Sequence, residues 1–463
     1  MILFVNIFAI QCNAQQVNWI VYADQSPGRD FTGSVCESDR YVYVVGADSS
    51  LGDLQFRIEK RLKSNGELVK EWTYNPLIGY DMLYGCVIIN NVLYAVGAES
   101  GKWVVLKVHV DLDKFDIFEQ ELGRGYYNYA KSIVSDGHYL YIAGIDYVSG
   151  DDEWRVEKRT ISDLSLIKAY TSNPSKRDNL LDIGVNPVTG ELWIVGSEWE
   201  GKGAQWRVEI LSKDLDLVKV IELGIRGDAY SITFDRQGNA YVVGSLGVVK
   251  FDKFGNELKM KEIDGESVLE INGKLYVLSG DRSEKGQTHI YVNTLDNDLN
   301  VIGERLVLSM KELKMERDEI AGISFIGGKM TFDNENIYAA GNLWKVNSSY
   351  RFTHSEWVIV SIKVLEKGTS VLTLTTTTYT TRTAEETYIS VVAGERTSTE
   401  MATPTLEWST HTVMEDTVTE ATTLTSQPFN TMSVIALAML ITVLIFSLYL
   451  ISVKKRRTVT MES

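Results

Sequence analysis

A short phrase recurs seven times in the first 341 residues, and it constrains the fold more than any other feature of the sequence. In its clearest copy, at 136–144, a turn leads into a short strand of aromatic and β-branched residues that ends on glycine. The seven copies end at Gly46, Gly97, Gly144, Gly196, Gly244, Ser279 and Gly341. Successive ends are therefore 51, 47, 52, 48, 35 and 62 residues apart, close to the roughly 40 to 50 residues of a four-stranded propeller blade.

Each repeat can be divided into four strands, as the third repeat shows. Turn residues separate its short runs at 132–135, 139–144, 154–158 and 166–170, a pattern typical of all-β proteins. We therefore predict an all-β fold, a seven-bladed β-propeller of four-stranded blades. The third strands of five repeats begin with an aromatic residue, namely Phe56, Trp103, Trp154, Trp206 and Trp357. We expect these aromatic residues to pack inside the blades rather than to hold a cofactor.

The two ends of the repeat array complement each other. The seventh repeat offers three strands, at 329–332, at 336–341 and from Trp357 onward, before the composition changes. The segment 17–22 is a strand without a partner in the first repeat. We predict that this strand completes the seventh blade and closes the ring, because closure removes an exposed sheet edge.

The first residues resemble an export signal. Residues 1–14 form an apolar run that ends on the small residue Ala14, as a short secretory signal peptide does, although a basic residue near the start is missing. A lipoprotein signal that uses Cys12 is an alternative, but the residues before Cys12 match it poorly. We expect the chain to be exported.

The residues after the propeller resemble a stalk and an anchor. We place the propeller at 17–366 and a disordered stalk at 367–432, whose last 64 residues include 22 threonines, a composition that is often O-glycosylated and cannot build a core. Residues 433–453 carry no charge and are long enough to cross a bilayer. The basic residues at the start of 454–463 predict a cytoplasmic tail, so we expect a single-pass membrane protein with its N-terminus outside.

Composition excludes one class of partner, and the cysteines leave a choice open. The formal net charge of −16 argues against nucleic-acid binding, which needs a basic face. After export, Cys36 and Cys86 occupy nearly equivalent first-strand positions in adjacent repeats. A disulfide would require Cα atoms within about 7 Å. Because equivalent strands of neighbouring blades are often farther apart, we expect two buried thiols.

The loops that enter the first strands contain the candidate ligand-binding residues. Catalytic and phosphate-binding motifs such as Gly-x-Ser-x-Gly are absent from the sequence, and we predict no catalytic residue, metal site or cofactor. Arginine and aspartate recur in these loops, beside a run of tyrosines, and we expect either ion pairs between blades or a polar ring that receives a glycan or peptide. The candidate residues are Tyr126, Tyr127, Tyr129, Arg177, Arg226 and Asp228. Asn347 begins a glycosylation sequon in a predicted loop.

The fifth repeat supplies a family resemblance. Its segments 235–244 and 248–258 combine an aspartate, a Gly-Asn turn, a strand ending in glycine and a Lys-Phe-Asp hairpin, and they resemble the SBBP-type β-propeller repeat. The second and fourth repeats depart from this pattern at their turns. The order of signal, propeller, stalk, membrane helix and basic tail resembles archaeal and other prokaryotic cell-surface proteins.

These features together predict a non-enzymatic cell-surface binding or adhesion protein. We expect its partners to be an extracellular glycan or protein ligand and, through the C-terminal helix, the membrane. Two alternatives stay open. Distant blades could supply the two acids of a polysaccharide hydrolase or lyase, or the chain could be a structural component of the cell envelope.

Overall fold

A computed structural model describes the chain from residue 15 to residue 364, which forms one compact unit of seven antiparallel sheets. Within this range the description omits 24–25, 27, 76–78, 121–127, 149, 202, 284–285, 310–319, 326–328 and 347–351. The predicted signal peptide, stalk, membrane helix and tail lie outside the described residues, as do Tyr126, Tyr127 and Asn347. The described part of the chain contains no helix long and apolar enough to span a bilayer.

Six blades consist of four strands each, paired in chain order from the inner strand outward. Blade 1 comprises β2 (Phe31–Ser38), β3 (Tyr41–Asp48), β4 (Gln55–Leu62) and β5 (Leu68–Tyr74). Blade 2 comprises β6 (Asp81–Ile89), β7 (Val92–Glu99), β8 (Lys102–His109) and β9 (Phe115–Gln120). Blade 3 comprises β10 (Tyr129–Ser135), β11 (Tyr139–Val148), β12 (Asp151–Thr160) and β13 (Leu166–Ser172). Blade 4 comprises β14 (Asn179–Val185), β15 (Leu192–Glu200), β16 (Gly203–Leu211) and β17 (Leu217–Arg226). Blade 5 comprises β18 (Ala229–Phe234), β19 (Ala240–Gly244), β20 (Gly247–Phe251) and β21 (Glu257–Lys261). Blade 6 comprises β22 (Ser267–Ile271), β23 (Lys274–Ser283), β24 (Gly286–Asp296) and β25 (Val301–Ser309). The predicted seven-bladed, four-stranded architecture is thus confirmed.

The seventh blade joins the two ends of the array. Its strands are β26 (Ile320–Ser324), β27 (Thr331–Phe332), β28 (Asn336–Val346), β29 (Phe352–Val364) and β1 (Gln15–Ala23). The pairing of β1 with β29 confirms the predicted closure. The predicted inner strand at 329–332 is too short. The inner edge of β28 pairs with two strands, with β27 near the first residues of β28 and with β26 near its last residues.

The glycine at the end of each repeated phrase has a packing role. The inner strands of blades 1 to 5 each carry a β-bulge opposite this glycine. At Gly144, for example, an added Cβ would lie 2.1 Å from the carbonyl oxygen of Tyr129. The glycine is therefore required because the backbones of the first two strands approach closely at the bulge.

The tyrosine of the repeated phrase reaches the next blade in four cases, at a backbone carbonyl between that blade's third and fourth strands. Tyr43 donates to Val110 (2.9 Å) and Tyr94 donates to Ile161 (3.1 Å). The hydroxyls of Tyr141 and Tyr241 lie 3.3 and 3.5 Å from Lys213 and Asn297, but each is closer to an aspartate of its own blade, at 3.0 and 3.1 Å. The recurrence of this tyrosine in the sequence thus reflects hydrogen bonding between blades as well as apolar packing.

Apolar residues of facing blades form the cores between them. The core between blades 1 and 2, for instance, combines Phe56 and Ile58 with Leu93 and Leu106. All five aromatic residues at the starts of third strands are buried, which confirms their predicted packing role. Each such side chain contributes roughly 2–3 kcal/mol by leaving water.

The expectation of two free thiols was wrong. Cys36 on β2 and Cys86 on β6 form a disulfide, with Cα atoms 6.1 Å apart. The two strands are the inner strands of adjacent blades, which converge toward the axis of the ring. Their separation there falls within the range that a disulfide can bridge.

Candidate ligand-binding site at the channel mouth

The seven inner strands surround a central channel, because each contacts the inner strand or the blade next to it around the closed ring. In an antiparallel blade, the loop that enters the first strand and the loop between the second and third strands lie at the same end. We call this end of the ring the entry face. Loops on such a face can vary while the blades stay rigid, so it is the natural place for a ligand.

Three tyrosines, which we call the tyrosine cluster, lie at the channel mouth on the entry face. Tyr84 occupies the bulge of β6, Tyr129 begins β10, and their ring centroids are 5.6 Å apart. Tyr80, in the loop before β6, is half exposed. Burial, with Tyr80 nearby, raises the pKa of Tyr84 well above its ordinary value. Burial also raises the pKa of Tyr129, so both phenols stay neutral hydrogen-bonding groups.

Charged side chains surround the tyrosine cluster. Asp152 and Asp228 both lie close enough to Tyr129 to raise the pKa of its phenol further. Burial raises the pKa of Asp152, and the neighbouring Arg177 opposes this effect. Asp228 accepts a hydrogen bond of 2.5 Å from the hydroxyl of Ser197. Acidic and basic groups therefore stand beside the aromatic surface.

The structure brings some of the sequence-predicted residues together. Tyr129, Arg177 and Asp228 all lie around the channel mouth, whereas Arg226 is an exposed residue at the end of β17. Within the described residues, Arg177 and Arg226 form no ion pair, and Asp228 is held by a serine hydroxyl rather than by an arginine.

Below the tyrosine cluster, charged groups cross the channel. The ammonium of Lys131, at the bulge of β10, lies 4.5 Å from the ring centroid of Tyr84. Asp182 of blade 4 pairs with Lys329 of blade 7 at 2.6 Å. A cavity of about 390 Å³ lies beside this pair. Its lining includes Val134, Asp182, Ser231, Phe234, Ser267 and Lys329.

In each of blades 1 to 4, an acidic residue of the second strand lies two positions after the glycine of the repeated phrase. In three of these blades, a third-strand arginine neutralises it. The ion pairs are Arg57 with Asp48 (3.2 Å), Arg155 with Asp146 (3.3 Å) and Arg207 with Glu198 (2.8 Å). In blade 2 the acid is Glu99. In the other three blades, the third-strand residue opposite the glycine of the repeated phrase is this arginine. In blade 2, the residue opposite Gly97 is Val104. Glu99 therefore lacks an arginine partner.

Two carboxyls of blade 2 share this uncompensated environment. Asp81 and Glu99 are directly opposite in the β6–β7 ladder, and both are fully buried. Neither carboxylate oxygen of Asp81 has a hydrogen-bond partner of normal geometry among the described residues. Burial raises the pKa of Asp81 to about 7. Burial, followed by a hydrogen bond to Glu119, raises the pKa of Glu99 to about 7 as well.

We expect the Asp81→Asn variant to be more stable than the wild type at pH 8, by roughly 2 kcal/mol. The folded carboxyl keeps its proton up to about pH 7, whereas the unfolded carboxyl loses it near its ordinary pKa of 3.8. Wild-type stability should therefore fall as pH rises from about 4 to 7, and the variant should fall less. Thermal melting at several pH values checks this. The exposed control Asp298→Asn should have the melting temperature of the wild type at each pH. If the melting temperature of Asp81→Asn changes with pH in the same way as that of the wild type, the prediction is wrong.

Metal binding finds no support in this part of the chain. Among the residues that the structure describes, no group of three or more His, Cys, Asp or Glu side chains is placed to hold a metal ion.

Comparisons with known proteins find distant structural similarity to several solved structures. No family model and no curated protein matches the chain. It is similar to streptogramin B lyase (13% identity, 74% of this chain and 97% of that chain, TM-score 0.46) and to the Pan2 WD40 domain of Neurospora crassa (8%, 77% and 98%, 0.47). It is also similar to a putative 6-phosphogluconolactonase from Bacteroides uniformis (12%, 69% and 96%, 0.43). Similarities this weak carry no functional argument, so the fold assignment rests on the strand pairing of this chain.

Tyr80, Tyr84 and Lys131 were not among the site residues predicted from the sequence. A signal for two of them existed, because Tyr84 and Lys131 each stand 13 residues before the final glycine of their repeats. That offset is the bulge position, where a side chain faces the channel instead of a neighbouring blade. Without knowledge of the bulge, both residues looked like ordinary members of a first strand.

Proposed function

We propose that the chain is a non-enzymatic binding or adhesion protein of the cell surface. Its propeller captures an extracellular glycan or protein ligand at the channel mouth. The stalk at 367–432 and the helix at 433–453 hold the propeller to the membrane, with the N-terminus outside. This proposal extends the sequence expectations for export and anchoring, which lie on residues outside the described part of the chain.

The tyrosine cluster is the observation that carries the proposal. Tyr80, Tyr84 and Tyr129 offer aromatic surface at the open end of a channel, beside the charges of Asp152, Asp228 and Arg177. Aromatic rings with a polar hydroxyl supply large contact areas at a low entropy cost. Rigid blades support them, so little order has to be gained when a ligand binds.

The burial of the blade 2 acids argues against the polysaccharide hydrolase or lyase. A carboxyl with a pKa near 7 could serve as the general acid of a glycosidase, and both Asp81 and Glu99 meet that condition. However, they are only 0% and 1% exposed. A glycosidic oxygen cannot come within hydrogen-bond distance of either group in this structure, so Asp81 and Glu99 are not the acids of such an enzyme.

We expect the Tyr80→Ala and Tyr129→Leu substitutions together to weaken ligand capture at least tenfold, the effect of losing about 1.4 kcal/mol of stacking and hydrogen bonding. The measurement is capture of the full-length protein on glycan and peptide arrays, followed by affinities for the positive features. Tyr22→Ala, which removes an exposed tyrosine from β1, is the matched control and should bind normally. Release of a cleaved product would indicate an enzyme, and equal capture by the double variant would exclude the tyrosine cluster.

A further inference from the structure

Lys131 is held inside the channel by its backbone geometry. It occupies the bulge of β10, as Tyr84 occupies the equivalent bulge of β6. Its ammonium lies 4.5 Å from the centroid of the Tyr84 ring and interacts electrostatically with Asp182. Lys131, Tyr84 and Tyr129 are each intermediate in exposure, neither fully buried nor open to solvent.

Lys131 shares its neighbouring carboxylate, Asp182, with a second cation. Asp182 is occupied by the ammonium of Lys329 at 2.6 Å and by the hydroxyl of Ser132 at 2.9 Å. It also accepts the backbone N–H groups of Ile183 (2.8 Å) and Ile232 (3.1 Å). Three of these donors bond Asp182 Oδ1 and only the Ile232 N–H bonds Oδ2, and the ammonium of Lys131 makes no ion pair with either oxygen among the described residues. Within the described residues, the ring of Tyr84 is the only direct partner of the Lys131 ammonium.

An ammonium in this position costs stability. Burial lowers the pKa of Lys131 to about 8, and the charge of Asp182 opposes the shift. The group is therefore still largely protonated at neutral pH, as the second cation beside a carboxylate that already pairs with Lys329. Such perturbed groups in a concave site are more frequent at functional sites than elsewhere.

We propose that the channel binds the carboxylate of an acidic sugar, a uronate, with Lys131 as its counter-ion. The tyrosine cluster lies directly above this ammonium, so a pyranose ring can pack its C–H face on Tyr84 or Tyr129 while its carboxylate reaches Lys131. The aromatic surface favours a sugar over an acidic peptide. This inference rests on the proposed binding function and specifies its ligand class.

The test uses the full-length protein and the monosaccharide D-glucuronate, with D-glucose and acetate as comparison probes, measured by ligand-detected NMR titration. We expect glucuronate to bind at least tenfold more tightly than glucose or acetate. The Lys131→Met substitution should weaken the binding of glucuronate at least tenfold. The Lys131→Arg substitution, which keeps the charge, should weaken this binding less than threefold. Lys131→Met should melt at or above the wild-type temperature, because it removes an unpaired cation.

Each result decides the question. Equal glucuronate affinity in the wild type and Lys131→Met would overturn the proposal, and so would failure of the wild type to bind glucuronate. Acetate binding as tightly as glucuronate would overturn the assignment to a sugar. If the arrays show capture of neutral ligands while glucuronate fails, only this inference fails. If glucuronate binding depends on Lys131 but ligand capture on the arrays does not depend on the tyrosine cluster, the proposed role of the tyrosine cluster fails instead.

Discussion

The Glu157→Ala variant should lose about 3–5 kcal/mol of stability, enough to unfold much of the protein well below the wild-type melting temperature. Glu157 is fully buried between two arginines, accepting from Arg155 Nε at 2.8 Å and from Arg159 Nε at 2.7 Å. Its removal leaves two buried guanidinium groups with less compensating charge. Urea denaturation monitored by tryptophan fluorescence measures the loss.

Blade 2 supplies a matched control for this prediction. At the positions equivalent to Arg155, Glu157 and Arg159 it has Val104, Leu106 and Val108. A blade 3 variant with those three apolar residues, together with Asp146→Ala to remove the remaining acid, should stay within about 2 kcal/mol of the wild type, because apolar replacement of a whole buried ion network is often neutral. The prediction fails if this fourfold variant is less stable than Glu157→Ala.

Loss of the disulfide should have an effect of similar size. Cys36 and Cys86 are separated by 50 residues. In the chain-entropy model, a disulfide that closes a loop of this length raises the free energy of the unfolded chain by about 4 kcal/mol at most. We expect the Cys36→Ala, Cys86→Ala double variant to melt far below the oxidised wild type.

The reduced wild type is the control for that experiment. It should melt near the double variant, because the restriction on the unfolded chain is absent from both proteins. A reducing agent should leave the double variant unchanged. Mass spectrometry of the unreduced protein should show no free thiol at either cysteine. A double variant that melts with the oxidised wild type would contradict the prediction.

The repeated phrase was sufficient to predict the architecture, for a physical reason. Each copy encodes a turn, a buried second strand and a glycine, and these are local properties of consecutive residues. The closure by β1 followed from counting strands at the two ends. The inner strand of blade 7 was harder, since β26 has no strong alternating pattern and the interruption before β27 depends on how it pairs with β28.

The candidate site was predicted in part, because its geometry is not local. Tyr129 and Asp228 were selected for their loop positions, but the bulges that place Tyr84 and Lys131 in the channel arise from pairing between strands. The raised pKa of Glu99 was also hidden from sequence. It depends on the absence of an arginine that other blades possess, and it becomes visible only when the strand registers are compared.

The pairing of β1 with β29 has a consequence during synthesis. Asn18 bonds Ser361 across 343 residues of sequence, so the first strand to leave the ribosome must wait for almost the last. At roughly 5–20 residues per second, that interval is about 20–70 s. Throughout this time the nascent ring is an open arc, and the backbone N–H and C=O groups of β1 that pair with β29 have no partner strand. A chaperone that holds such segments would find its target at the beginning of the chain, long before the last blade exists.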